Sequence, residues 1–184
     1  MSDPIYVIES ISDGAEGHPY DEVLSIAVCE VDLDGGDFNT VFSETIQAEP
    51  RYVGKRKLDY AESKGLDVQE LYTGLPQGEV VRKLQDIVRG KYVTSYDIRQ
   101  QFTKYLCNDP WDLTGSVTIM PSIMMRQPIS LKCKYPEDEP DIIVKAYCKA
   151  YRNDPIGVGR KRGAMELAQM ASMVAISLHA RGKY

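Results

Sequence analysis

Few residues of this chain are placed to do chemistry, and the clearest is Asp97. It closes the run Tyr92-Val-Thr-Ser-Tyr-Asp97, whose first three residues favour a strand. After it, Ile98, Phe102, Tyr105 and Leu106 form one apolar helical face. A carboxylate at the carboxyl end of a buried strand lies in the crevice where open α/β sheets bind ligands. The simpler reading of Asp97 is a helix N-cap. Before the last helix, Arg160, Lys161 and Arg162 carry the charge to bind a phosphate backbone, although a solvated surface loop has the same composition.

Other chemistries lack material. Two histidines, His18 and His179, leave little for imidazole catalysis, and with Cys29, Cys107, Cys133 and Cys148 scattered they form no zinc-ligand spacing. The cysteines read as reduced thiols. A net charge of −5 argues against coating nucleic acid through bulk charge, while allowing a local basic groove. No apolar run reaches the roughly 18–20 residues of a membrane span. Met1-Ser-Asp-Pro has neither a basic nor a long apolar leader region, so the expected compartment is the cytoplasm.

The positioning elements follow from periodicity. Ile5 to Ile8, running on through Glu9 and Ser10, reads as a central strand; Val23 to Leu33 and Phe38 to Ile46 form a hairpin about Asp34-Gly-Gly36. Glu79 to Val88 is an amphipathic helix closed by Gly90, and a crossover of this kind predicts that the Tyr92 strand pairs in parallel with the first strand. Val117 to Met125 is open between strand and helix. Lys134 to Asp141 reads as an exposed loop, with Asp141 capping a helix from Ile142 to Arg152. The last helix, from about Arg162 to His179, is apolar nearly all round and must be buried. Gly157 to Gly163 makes no phosphate loop, because no strand precedes it. With 184 residues, 43% hydrophobic, and no repeat, one domain over 1–184 is expected.

This order of elements resembles the DnaQ-like 3′–5′ exonucleases, the DEDD superfamily with an RNase H-like fold, over almost the whole chain. That resemblance implies an α/β fold with a mixed sheet, three antiparallel meander strands followed by parallel ones, flanked by helices. The family's first motif is a strand followed by Asp-x-Glu-Thr-Thr-Gly, and Tyr6-Val-Ile-Glu9-Ser-Ile11-Ser-Asp-Gly14 matches it in position. The second, a strand, an aromatic and Asp, matches Val93-Thr-Ser-Tyr96-Asp97, without the usual His-Asn before it. The third, His-Arg-Ala-Leu-x-Asp-Ala, falls on the register of Arg162-Gly-Ala-Met-Glu166-Leu167-Ala168.

In the family, carboxylates hold two Mg²⁺ or Mn²⁺ ions roughly 3.5–4 Å apart that activate water against the terminal phosphodiester. Here Glu9 stands for the first aspartate, Ile11 for the glutamate, Leu167 for the last aspartate and Arg162 for the histidine; Asp97 remains. The resemblance therefore implies an impaired site with Glu9 and Asp97 as the surviving metal ligands. Glu166 joins the catalytic candidates only if the last helix shifts, since one residue rotates a side chain by about 100°. Arg162 is expected to pair with Asp97 or Glu9 as an internal cation. The leading expectation is a pseudoenzyme that binds a nucleic-acid end, a nucleotide or a protein partner and needs no cofactor. The alternatives are an active Mg²⁺- or Mn²⁺-dependent exonuclease built on Glu9, Asp97 and Glu166, or a structural subunit of a nucleic-acid-processing complex, with a homodimer among the possible assemblies.

Overall fold

The computed structural model describes residues 3–159 and 161–184. Its sheet has the order β3-β2-β1-β4-β5, with β1 Ile5–Ser12, β2 Val23–Asp32, β3 Asp37–Thr45, β4 Tyr92–Thr94 and β5 Thr118–Ile119. β1, β2 and β3 form an antiparallel meander. The hairpin between β2 and β3 closes through Gly36, whose N–H donates to the Asp32 carbonyl at 2.9 Å and whose φ of +72° needs a residue without a side chain. β4 pairs with β1 in parallel, Ile5 opposite Tyr92 and Val7 opposite Thr94, as the crossover predicts. β5 extends the parallel half.

β1 is buried along its whole length because helices cover both faces of the sheet. Tyr6 and Ile8 face a core filled by Val80, Leu84 and Val88 of α3 (Gln77–Val88) and by Phe102 and Leu106 of the next helix. That next helix, Arg99–Leu106, is wide-turned: the Cys107 N–H reaches back five residues to the Phe102 carbonyl at 2.9 Å. Ile5, Val7 and Ile11 face the opposite core, built on α5 (Ala164–His179) and α4 (Glu139–Ala150). α5 buries residues on nearly every side, as its apolar circumference requires; truncating a core leucine such as Leu167 to alanine costs about 2–5 kcal/mol in sites of this kind.

Two expectations need correction. α4 begins at Glu139, not Ile142, and ends at Ala150, not Arg152, because Pro140 suits the first turn of a helix and so opens it early. The exposed loop expected over 134–141 is correspondingly shorter. The short α1 (Pro50–Val53) and α2 (Lys55–Lys64) went unread, since α2 buries only Ala61 and Lys64 and carries no apolar stripe. The segment after Trp111 contains both open alternatives, a strand at Thr118–Ile119 and a 3₁₀ turn at Ile123–Arg126. No helix among the described residues is long and apolar enough to cross a membrane.

Candidate functional site

Parallel pairing brings the carboxyl ends of β1 and β4 side by side. Past the last paired residues, Val7 and Thr94, the chain of β4 leaves the sheet, and the N–H of Tyr96 donates to Glu9 Oε1 at 2.6 Å. Glu9, inside β1 just past its pairing with β4, and Asp97, just past the end of β4, thus come together, with exposures of 1% and 0%. A third carboxylate joins them. Glu139, the first residue of α4, is 4% exposed and acts electrostatically on Glu9. Sequence reading missed it because an acid in the first turn of a helix is ordinary.

Gln101 connects the cluster to β1. Its Oε1 accepts from the N–H of Ser10 at 3.0 Å and from the Ser10 hydroxyl at 2.5 Å, and its Nε2 donates to Glu139 Oε2 at 3.0 Å. Buried Lys64, at the end of α2, donates from Nζ to the Pro136 carbonyl. The space enclosed by Ser10, Tyr60, Lys64, Gln101, Tyr105 and Glu139 is about 10 Å³, at the lower limit for one water.

Asp97 is both cap and ion-pair partner. Its Oδ1 accepts from the Arg99 backbone N–H at 3.0 Å and from Arg99 Nε at 3.2 Å, while Oδ2 accepts from Arg99 Nη2 at 3.0 Å. The internal cation is therefore Arg99. Arg162, expected in that role, points elsewhere and pairs through Nη1 with Asp141 Oδ1 at 2.8 Å. An arginine two residues beyond an aspartate at a helix start is the signal that could have found it.

Burial pushes the Glu9 carboxyl well above its ordinary value, and the charges of Glu139 and Asp97 add to this, against the Tyr96 N–H and Lys64. Glu139 is pushed up to about 7, again mainly by burial, with Lys64 and the Gln101 amide opposing and Asp97 reinforcing. Among the described residues, buried Glu9 Oε2 and Glu139 Oε1 find no hydrogen-bond partner. The arrangement favours at least one proton on the pair, since carboxyls this dry and close resist ionising together.

The donor set does not fit two divalent cations. Each would need about six oxygens, yet Asp97 is engaged at both oxygens by Arg99 and Glu9 at Oε1 by Tyr96. Ile11 and Leu167 are core residues. Among the described residues no three His, Cys, Asp or Glu side chains form a ligating group.

Glu166 faces a separate cavity. Its Oε2 lies 2.4 Å from where a Cβ on Gly163 would stand, so the carboxylate curls back over the first turn of its own helix, as a glutamate at that position does. The cavity, about 630 Å³, is lined by Ile11, Thr45, Glu70, Lys161, Arg162 and Glu166 among others. Arg160 lies outside the described residues.

No protein-family model and no curated protein matches the sequence. Solved structures do. A full-length 3′-exonuclease superposes with a TM-score of 0.62 at 14% identity, covering 98% of this chain and 83% of that one. A 3′-exonuclease in 3′-end-specific recognition of a histone mRNA stem-loop gives 0.61 at 13% identity, with 98% and 83% covered. The nuclease domain of 3′hExo, a DEDDh family member, bound to rAMP, gives 0.58 at 13%, with 98% and 94% covered. At such identities the likeness shows the fold: an α/β, RNase H-like mixed sheet of the kind 3′-exonucleases use.

Proposed function

We propose that this chain is an exonuclease-fold protein that has lost hydrolysis and works by binding a nucleic-acid end or nucleotide. One observation carries the reading. Arg99 occupies both oxygens of Asp97, the carboxylate that the resemblance makes central, and Asp97 itself has no exposed surface. A permanently charged guanidinium cannot take a proton from water, and it competes with any cation for the same oxygens. The ligand class is supported by the stem-loop and rAMP bound by two structures of like fold. The 630 Å³ cavity beside Ile11 offers the room, with Lys161 and Arg162 as its cations among the carboxylates Glu44, Asp67, Glu70 and Glu166.

Incubating the purified chain with end-labelled single-stranded DNA and RNA, with Mg²⁺ or Mn²⁺, is expected to leave both substrates at full length. Metal-dependent shortening from the 3′ end that disappears in Asp97→Ala overturns the reading. A second reading, an active exonuclease with a variant carboxylate set, is favoured by the two unpartnered oxygens on Glu9 and Glu139. Calorimetric titration with Mn²⁺ separates the two, since only the active form requires a cation at these carboxylates.

A further inference from the structure

The C-terminal end of α5, the outer side of α4 and the segment 126–131 enclose a groove of about 250 Å³ that the ancestral site does not use. Arg126, Lys149, Arg181 and Lys183 line it, together with Gln127 and Ser177, and no carboxylate does. In a chain of net charge −5 this local excess is pronounced. None of the four cations forms an ion pair among the described residues, whereas Lys57, Lys83, Arg89 and Arg162 elsewhere do. Unpaired cations converging on a concave surface attract an anion, and the hydroxyl and amide can complete its hydrogen bonds.

We propose that this groove binds the phosphates of a single strand of nucleic acid. The volume falls below the ~300–1,000 Å³ of enclosed small-molecule sites, so the groove suits a strand that passes through it more than a nucleotide swallowed whole. Ile129, on the segment forming one wall, and Met125 just before it are exposed apolar side chains beside the lining, a neighbourhood that suits the apolar faces of bases more than a purely acidic partner. The groove also lies far from the basic cluster that precedes α5. From Ala164 to His179 the helix runs for 16 residues, about 24 Å at 1.5 Å per residue, which separates Lys161 and Arg162 from Arg181 and Lys183. One structural link joins the groove to the closed cleft: the Leu131 carbonyl, on the groove wall, accepts from the Tyr96 hydroxyl at 2.7 Å.

The site deepens the nucleic-acid-binding reading above, and one experiment distinguishes the failure of each. Fluorescence anisotropy of an end-labelled oligothymidylate is measured against the full chain, the double variant Lys149→Glu/Arg181→Glu and the double variant Lys161→Glu/Arg162→Glu, between about 50 and 200 mM salt. Four cations on a single strand predict a slope of log affinity against log salt near −3, and reversing two of them is expected to flatten it by at least 1 and to weaken binding by about tenfold or more. Loss only in Lys161→Glu/Arg162→Glu keeps nucleic-acid binding and overturns the groove. No binding by the unaltered chain overturns both. Equal competition by poly-glutamate shows attraction for any polyanion and overturns the groove as a nucleic-acid site, while competition by inorganic polyphosphate, without poly-glutamate, assigns the recognition to phosphate alone and overturns the strand.

Discussion

Arg99 grips Asp97 with three hydrogen bonds, two from its guanidinium and one from its backbone N–H, so that a carboxylate with no exposed surface is neutralised by its second neighbour along the chain. The same pair starts a helix and takes three of the carboxylate's roughly four acceptor directions where β4 ends. Because the arginine side chain is 65% exposed, part of the attraction is screened.

Arg99→Ala leaves Asp97 with its backbone bond alone. Unfolding in urea is expected to show a loss of about 1–3 kcal/mol, less than a fully buried pair would give. Arg99→Lys should recover only part of it, since an ammonium cannot reproduce the two-pronged contact. A neutral Arg99→Ala would mean that the pair contributes nothing to the fold.

The pH response has a defined sign. Glu9 and Glu139 are both raised in the folded chain, so each contributes stability that is fully present below its unfolded value, near 4.5, and is lost as pH rises through the folded one, about 7 for Glu139. Thermal stability attributable to the pair therefore falls between pH 5 and pH 8. Glu139→Gln should flatten that fall and gain on the order of 1–3 kcal/mol at the upper end. An unchanged slope in the variant would locate the titration elsewhere.

Restoring the acids that the resemblance places at positions 11 and 167 is expected to damage the protein. Leu167→Asp puts a charge into packed core, a cost on the order of 3 kcal/mol or more, and Ile11→Glu costs less because its side chain borders the cavity that Lys161 and Arg162 also line. Chemical denaturation measures it. A variant with both acids that stayed as stable as the parent would show a polar cleft there instead of packed core.

Gly65 tests the turn that ends α2 after the buried Lys64. Its φ is +111°, and an added Cβ would stand 2.5 Å from the Arg162 carbonyl oxygen, so Gly65→Ala meets both strain and a backbone clash. A loss of at least about 1–2 kcal/mol is expected in the same denaturation assay.

The sheet was legible because β1 and β2 bury apolar runs, because β3 alternates after a Gly-Gly turn, and because a helix between two strands fixes their direction. α5 was legible from its uncharged circumference. Asp97 could be named from its place after a strand, and Glu9 from the resemblance of the first motif. Glu139 could not, because what brings it in is the entry angle of α4 and a hydrogen bond from Gln101, residues 38 apart in the chain. Arg162 was misread for a related reason: register places a residue on a helix but does not say which acid its long side chain reaches, and Asp141 was nearer. α2 and its buried Lys64 lay hidden beneath a charged, unpatterned sequence whose burial comes from the Pro136 segment closing over it.

The Gln101 side chain joins Ser10 to Glu139 across sequence separations of 91 and 38 residues. The two contacts together form only when the first strand, the wide-turned helix and α4 have all arrived. Contacts of such long separation repay their loop-closure entropy late in folding. The amide hydrogen of Ser10 thus becomes a clock for the cleft: its protection against exchange with solvent should appear after that of the neighbouring β1–β2 amides, and the closed acid cluster is the last part of the sheet's edge to assemble and the first to open.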